Sequence, residues 1–357
     1  MQQSQRDIGL DNLKGILIIS VVYVHLYDML GQKTPLSYTL RLIILSVQMP
    51  LFLFLCGYFG KHVERRRDTA LQEYLLPFLI FNGLYYLMRI GQEPDIRYGL
   101  LRPLNMYWFL MTLLLIRLLM PQLLHIRRLP LVSFVCALVV GCDKYFGRLL
   151  SLSRTVCFLP FYLAGYYCPK EYLDKARRIP LPVAWLCGIA GSFLTLCLTD
   201  ILRPAGKVSH PFQLVNTYAK QGLPLTQGIL FRVAIYIAAP LLAILLLRLT
   251  PRVSCFLTHI GSGSMTVYLL HAFPMLWIID HKQGIWAIFC KLLPFLAQLK
   301  APGKFLFGIP QLILFLGYSI LMSVFLSSPV IQHLYTSLFD ELKTLIFHTE
   351  KSDPIVH

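Results

Sequence analysis

Charged residues are scarce in this chain. Asp, Glu, Lys and Arg make up 14% of its 357 residues, whereas 56% of the residues are hydrophobic. A soluble domain carries about a quarter charged residues, so this composition excludes an ordinary water-soluble domain. The sequence therefore indicates an integral membrane protein.

Paired cysteines are also missing. No C-x-x-C pair occurs in the chain. Most of the nine cysteines lie inside apolar runs, namely Cys56, Cys136, Cys157, Cys187 and Cys197. Cysteines in such places behave as small buried hydrophobic side chains. We therefore predict neither a disulfide framework nor a bound metal ion.

Acidic residues are few compared with basic ones. The chain has 17 Asp and Glu against 33 Lys and Arg, which gives a formal net charge of +16. The basic residues are scattered between apolar runs, a pattern that disfavours nucleic acid as a partner. They are better suited to contact anionic lipid headgroups, or an anionic substrate such as a nucleotide cofactor.

Long hydrophobic runs, in contrast, are abundant. A hydrocarbon core about 30 Å thick requires roughly 20 mostly apolar residues per helix. On that rule we predict about ten transmembrane segments, near residues 13–31, 40–60, 71–90, 104–120, 129–142, 151–168, 181–200, 228–247, 264–280 and 305–327. The run from Trp286 to Leu299 is either an extra segment or a re-entrant one. With no internal repeat, the prediction is an all-α, polytopic membrane helix bundle. It forms a single domain, residues 1–340, followed by a short polar tail, residues 341–357.

The orientation in the membrane follows from the ends of the segments. The first apolar run is not expected to be a cleavable signal peptide, because His25 and Asp28 interrupt it and further apolar runs follow. The basic clusters Arg65–Arg67, Arg127–Arg128 and Arg177–Arg178 all face the cytoplasm if the N-terminus does. We therefore predict cytoplasmic N- and C-termini, in a bacterial-type inner membrane.

The first apolar segment carries two basic residues on one helical face. Lys14 and His25 are eleven residues apart, which is almost three whole turns and roughly 16 Å of rise in an α-helix. Lys14 then lies near the membrane surface and His25 near its middle. Ionisable side chains at such depth are costly and usually mark a functional site. We predict that this face is the active site, because the Lys14 cation could hold an anion and the His25 imidazole could move a proton.

Three other features have both a structural and a functional interpretation. A basic cluster such as Arg65–Arg67 most often only sets topology, but it can also bind phosphate. Trp108 at the start of a segment is typical of an interfacial aromatic belt. His271, a second histidine inside an apolar run, is either packed and hydrogen-bonded or functional.

Five short motifs occur in the order seen in a known family. They are Lys14 followed by His25 after a ten-residue gap, Met49-Pro50-Leu51-Phe52, Trp108-Phe109-Leu110, Phe158-Leu159-Pro160-Phe161 and Tyr268-Leu269-Leu270-His271. Together they resemble the type-three membrane acyltransferase family over nearly the whole chain. Within it they look like the branch of fucose 4-O-acetylase-like sugar O-acetyltransferases. The sequence departs from the family pattern at Lys14, usually arginine, at Gln48, often histidine, at Cys56, usually serine, and at Gln72 and Glu73, where the wider family has paired arginines.

The resemblance implies a bundle of about ten helices that moves an acyl group, usually acetyl, from cytoplasmic acetyl-CoA to a hydroxyl. The acceptor is a cell-surface glycan or its lipid-linked precursor. No cofactor is expected to stay bound, because acetyl-CoA (acyl-CoA) is a donor substrate. The expected partners are acyl-CoA, the glycan or lipid-linked sugar and membrane lipids.

The resemblance and the chemistry of acyl transfer assign roles to residues. His25 is expected to act as the base for the acceptor hydroxyl, with Asp28 orienting its ring. The expected ligands of the CoA phosphates are Lys14, Arg65, Arg66 and Arg67. Supporting roles fall to Asp11, Trp108 and His271.

Several alternatives stay open. Direct attack by the hydroxyl and a covalent acyl-enzyme both agree with these residues. A transporter or flippase of a glycan or lipid intermediate also places polar groups at mid-membrane, although such folds usually contain repeats. A third hypothesis is an inactive assembly partner, because Gln48 replaces a frequent histidine and so removes one possible proton-transfer group.

Overall fold

The computed structural model describes residues 7–30, 35–90, 103–143, 149–202, 211–281 and 309–347. These residues form helices and connecting turns, with no β-strand among them. The all-α prediction is therefore confirmed for the described part of the chain. The run from Trp286 to Leu299 lies outside the described residues.

The helices follow the apolar runs of the sequence. In chain order they are α1 (Ile8–Leu30), α2 (Pro35–Tyr58), α3 (Val63–Asp68), α4 (Leu76–Arg89), α5 (Trp108–Leu123), α6 (Leu129–Val139), α7 (Leu152–Tyr167), α8 (Lys170–Arg178), α9 (Leu181–Leu202), α10 (Leu225–Leu249), α11 (Phe256–Ser262), α12 (Ser264–Leu270), α13 (Ile309–Leu326) and α14 (Pro329–Ile346). A π-helical turn, Leu71–Leu75, leads into α4, and the chain is helical again over 272–281.

The described residues contain fewer candidate membrane spans than the ten predicted for the whole chain. By length and composition, five described helices can cross a membrane: Ile8–Leu30, Leu36–Tyr58, Leu149–Tyr167, Leu181–Leu198 and Leu225–Leu249. Two bent pairs, α11 with the helix from Ser264 to His281 and α13 with α14, raise the number to seven. The predicted ten is not confirmed, because helices such as α5 and α6, with 16 and 11 residues, are shorter than the roughly 20 residues of a straight span.

Helix α1 lies at the centre of the bundle. It packs against α2, α11, α12 and α13, and most of its residues are buried. The approach of α1 to α11 is so close that a Cβ on Gly15 would collide with the Leu257 carbonyl, and a Cβ on Gly261 with the Asp11 carbonyl. Glycines on both helices therefore set the distance between α1 and α11, as small residues often do in membrane helices.

Helices α2 and α7 form a second close pair. A Cβ on Gly57 would meet the backbone of Tyr162, and one on Gly165 would meet the backbone of Phe54. Prolines inside three helices, Pro50, Pro160 and Pro240, line one apolar cavity of about 470 Å³ on this side of the bundle. Each proline lacks the N–H that would continue the backbone hydrogen bonds of its helix.

Segments predicted to be cytoplasmic meet at one end of the bundle. Asp7 binds both terminal nitrogens of Arg177 at 2.8 and 3.1 Å. Arg252 donates to the Arg177 carbonyl, and Lys61 donates to the carbonyl of Cys168. These bonds join the N-terminal residues, the end of α2, α8 and the α10–α11 connection. The predicted start of the polar tail at residue 341 falls inside α14.

Candidate active site

One face of α1 lines two cavities inside the bundle. The face consists of Lys14, Ile18, Val21, His25 and Asp28, which recur at alternating four- and three-residue steps. The inner cavity, about 190 Å³, includes the first three of these residues, and the outer cavity, about 270 Å³, includes the last three. Val21 and Met49 line both, so the two cavities adjoin at the middle of α1.

The inner cavity contains two cationic side chains, Lys14 and Arg117. The Lys14 ammonium lies 2.6 Å from the Asp11 carboxylate and 5.5 Å from the centre of the Phe59 ring. Asp11, predicted in a supporting role, therefore holds Lys14 in position one turn along the same helix.

Arg117 was not identified from the sequence. Its guanidinium donates to Glu73 at 2.5 Å and lies 4.5 Å from the centre of the Tyr74 ring. Its Nε is buried and has no hydrogen-bond partner in the part of the chain that the structure describes. Glu73 stands where the wider family has paired arginines, and it is bonded to an arginine of α5. A single charged residue within the apolar run of α5 was the signal that could have revealed it.

The predicted phosphate ligands Arg65, Arg66 and Arg67 lie on α3, which has no buried residue. Arg66 pairs with Glu73 at 3.7 Å, and Arg67 pairs with neighbouring acids on or beside its own helix. None of the three is among the residues lining the inner cavity in the described part of the chain. They lie at a surface, and their predicted role stays a prediction.

The outer cavity is much more polar. His25 and Asp28 line it from α1, Gln48 from α2, and Arg154 from α7. Gln48, which replaces the frequent family histidine, accepts a hydrogen bond from Ser20 at 3.3 Å. The cavity thus brings a titratable ring together with charged and amide groups.

Trp108 lies inside this outer cavity rather than only at a membrane surface. One ring face stacks on Phe158, with centroids 5.3 Å apart and planes at 26°, and the Arg154 guanidinium lies 4.6 Å from the ring centre. Arg154 also donates to the backbone carbonyl of Gln213 at 3.3 Å. The ring therefore supports Arg154 through a cation–π contact.

His25 and His271 lie next to each other across the bundle. Their ring centroids are 5.4 Å apart, with planes tilted by 40°. His271 is fully buried, and its Nδ1 lies 3.0 and 2.8 Å from the backbone carbonyls of Val267 and Tyr268. The Nε2 of His271 is buried without a hydrogen-bond partner among the described residues.

Asp28 has a different partner from the predicted one. Arg41 of α2 donates to both of its carboxylate oxygens, with Nη2 and Oδ2 2.8 Å apart. The Arg41 side chain is 4% exposed and that of Asp28 33%. The carboxylate of Asp28 therefore neutralises a buried cation, and the geometry does not show it bonded to His25.

The two cavities along this face of α1 differ in their charged residues. Lys14 and Arg117 line the inner cavity, toward the end with the predicted cytoplasmic segments, and His25 lines the outer cavity together with Arg154. Within the described ranges, no three His, Cys, Asp or Glu side chains group as metal ligands.

The comparison with protein families agrees with these features. The family model described as a type-three acyltransferase domain matches residues 7–328, which is most of the chain. No curated protein and no solved structure matches the chain significantly. The match covers the helices that form both cavities, and the chain belongs to the type-three acyltransferase family.

Proposed function

We propose that this protein moves an acetyl group from cytoplasmic acetyl-CoA to a hydroxyl of a cell-surface glycan or its lipid-linked precursor. The observation that carries the proposal is that an inner cavity lined by Lys14 and Arg117 adjoins a polar outer cavity lined by His25. A donor and an acceptor that enter from opposite ends would meet at this point.

The inner cavity is proposed as the path of the donor. Its volume of about 190 Å³ is below the range of about 300–1,000 Å³ typical of pockets for whole small ligands. The nucleotide part of acetyl-CoA would therefore stay near the membrane surface, close to Lys14 and Arg65–Arg67, while the thioester arm enters. Arg117 and Lys14 supply charge for the phosphate groups next to that arm.

His25 is proposed as the general base. It takes the proton of the acceptor hydroxyl as the oxygen attacks the thioester carbonyl. A C–O bond forms, the C–S bond breaks, and the proton passes to the thiolate of CoA. The products are the O-acetyl ester and free CoA. The Arg154 guanidinium, held in the same cavity, is a donor for the oxyanion that develops during attack.

The assignment to the fucose 4-O-acetylase-like branch rests on the five ordered motifs. The cytoplasmic location of the termini rests on the basic clusters and on the gathering of predicted cytoplasmic segments at one end of the bundle. We also propose that the protein is located in a bacterial-type inner membrane.

Turnover of labelled acetyl-CoA tests the function directly. Membranes containing wild type or His25→Ala are supplied with the host's own glycan precursors, and label is followed into lipid-linked or surface glycan. His281→Ala, an exposed histidine at the far end of the helix that follows α12, is the matched control. Wild type and the control should transfer label, whereas His25→Ala should not, at equal protein levels.

Two outcomes would contradict this proposal. If wild type consumes no acetyl-CoA under these conditions, a transporter, a flippase or an inactive assembly partner becomes the better reading. If His25→Ala transfers label as well as wild type, the face of α1 is not the catalytic centre.

A further inference from the structure

The tautomer of His271 follows from its hydrogen bonds. Its Nδ1 is close to two backbone carbonyl oxygens, those of Val267 and Tyr268. A carbonyl oxygen only accepts hydrogen bonds, so Nδ1 must carry the proton. In the neutral ring the other nitrogen, Nε2, then presents a lone pair.

No group among the described residues donates a hydrogen bond to this lone pair. The Nε2 atom is buried and has no hydrogen-bond partner among the described residues. Buried polar atoms are nearly always satisfied, and an unsatisfied one in a native fold calls for a functional reason. The side chain in ring contact with His271 that carries a transferable proton is His25, at a centroid distance of 5.4 Å.

Tyr268 is also near the His271 ring, with centroids 6.3 Å apart, but its hydroxyl already donates to the carbonyl of Met106. Asp28, one turn beyond His25 on α1, is bonded through both oxygens to Arg41. His271 therefore offers an unused acceptor to an N–H of the His25 ring that it contacts.

We propose that His271 is the positioning residue of His25. Its Nε2 accepts a hydrogen bond from one ring nitrogen of His25, which leaves the other ring nitrogen of His25 unprotonated toward the outer cavity. The two rings are in contact at a centroid distance of 5.4 Å, and the proposal requires a rotation of the His25 ring that brings the two nitrogens to an ordinary hydrogen-bond length of about 3 Å. The proposal rests on the proposed acetyl transfer and deepens it.

The proton balance is simple. The acceptor hydroxyl gives its proton to the free nitrogen of His25, and the resulting imidazolium is stabilised through its other N–H by the lone pair of His271. The imidazolium then passes a proton to the thiolate of the leaving CoA, so both histidines end the cycle neutral. His271 thus has the task that a carboxylate has in a catalytic triad, without a buried negative charge.

Two substitutions separate the two nitrogens of His271. In His271→Asn the amide reaches the position of Nδ1 and can keep the bonds to the backbone carbonyls, but nothing occupies the position of Nε2. In His271→Gln the longer side chain can place an amide oxygen near Nε2. Thermal unfolding of each variant in lipid nanodiscs establishes that the protein is folded.

The kinetic readout is acetyl transfer with acetyl-CoA as the varied substrate. We expect His271→Asn to lower kcat about 100-fold, within the range of general acid–base contributions, and to change the KM for acetyl-CoA less than about twofold. His271→Gln should recover about tenfold of that loss. A purely structural role would change Tm and KM instead. A wild-type kcat in folded His271→Asn overturns the proposal.

A second measurement does not depend on activity. In protein labelled with ¹⁵N at histidine, His271 should show a protonated Nδ1 and an unprotonated Nε2, and His25→Gln should shift the Nε2 signal. A protonated Nε2, or a signal unaffected by His25→Gln, overturns the role of His271. Absence of acetyl transfer by wild type would instead count against the proposed function alone.

Discussion

Arg41 and Asp28 form a two-pronged ion pair that ties α2 to α1 at the outer end of the polar face. Since the Arg41 side chain is almost completely buried, loss of its partner leaves a desolvated charge. The pair gives Asp28 a structural role at the outer cavity, and its predicted role in orienting His25 stays a prediction.

Asp28→Asn is therefore expected to lower the free energy of unfolding by about 1–3 kcal/mol. We expect the kcat for acetyl transfer to stay within severalfold of wild type, because both oxygens of the carboxylate are bonded to Arg41. The double variant with Arg41→Met should recover part of the lost stability, since no buried charge remains. Thermal unfolding and initial rates on the same samples measure both effects. A 100-fold fall in kcat at unchanged Tm would restore Asp28 as the residue that orients His25.

Arg117→Gln should raise the KM for acetyl-CoA about tenfold and leave kcat at saturation nearly unchanged. The guanidinium lines the inner cavity, and a charge-assisted bond to a phosphate group is lost with it. Arg178→Gln, at an exposed position of α8, is the matched control. Should the substitution lower only Tm, Arg117 would serve to hold Glu73 rather than the donor.

Gly261→Ala is expected to destabilise the protein by about 1–3 kcal/mol, because the new methyl group collides with the backbone of α1 at Asp11. Gly317→Ala on α13 is the matched control, since nothing lies within 4 Å of its Cβ position. There alanine should be neutral, or stabilising by up to about 1 kcal/mol. Equal effects of the two substitutions on Tm would show that the α1–α11 approach is not as close as described.

The pair of Asp7 and Arg177 gives the stability a pH dependence. Burial alone would raise the pKa of the Asp7 carboxyl. The hydrogen bonds and charge of Arg177, with backbone hydrogen bonds from Leu10 and Gly9, outweigh burial and lower the pKa below 3.8. Because the folded pKa is the lower one, the pair stabilises the fold fully above pH 3.8. Its contribution is lost as the pH falls through the lowered value.

Asp7→Asn should therefore have a lower Tm than wild type at about pH 7, and the difference should shrink toward zero at about pH 2. The exposed ion pair between Asp340 and Lys343 on α14 provides the control. Asp340→Asn is expected to change Tm little at either pH. A Tm difference for Asp7→Asn that is independent of pH would contradict the linkage.

Much of the site was predictable from helical periodicity. The eleven-residue spacing of Lys14 and His25 places them on one face, and both line cavities on that face of α1. Asp11 and Trp108 also border the site. The three basic residues of α3 were predicted from their charge cluster and from the family resemblance, and neither carries information on whether the cluster faces a cavity or water.

The sequence by itself determined that this is a helical membrane protein of the type-three acyltransferase family, with a polar face on its first helix. Composition and spacing are enough for these conclusions. Backbone polar groups in a bilayer must be hydrogen-bonded within the chain, which favours helices, and the helical period decides which residues share a face. Only the tertiary structure decided which side chains meet. It pairs Arg41 with Asp28 and Glu73 with Arg117, and it places the ring of His271 next to that of His25. A charge in an apolar helix must be satisfied, but which helix supplies its partner depends on how the helices pack.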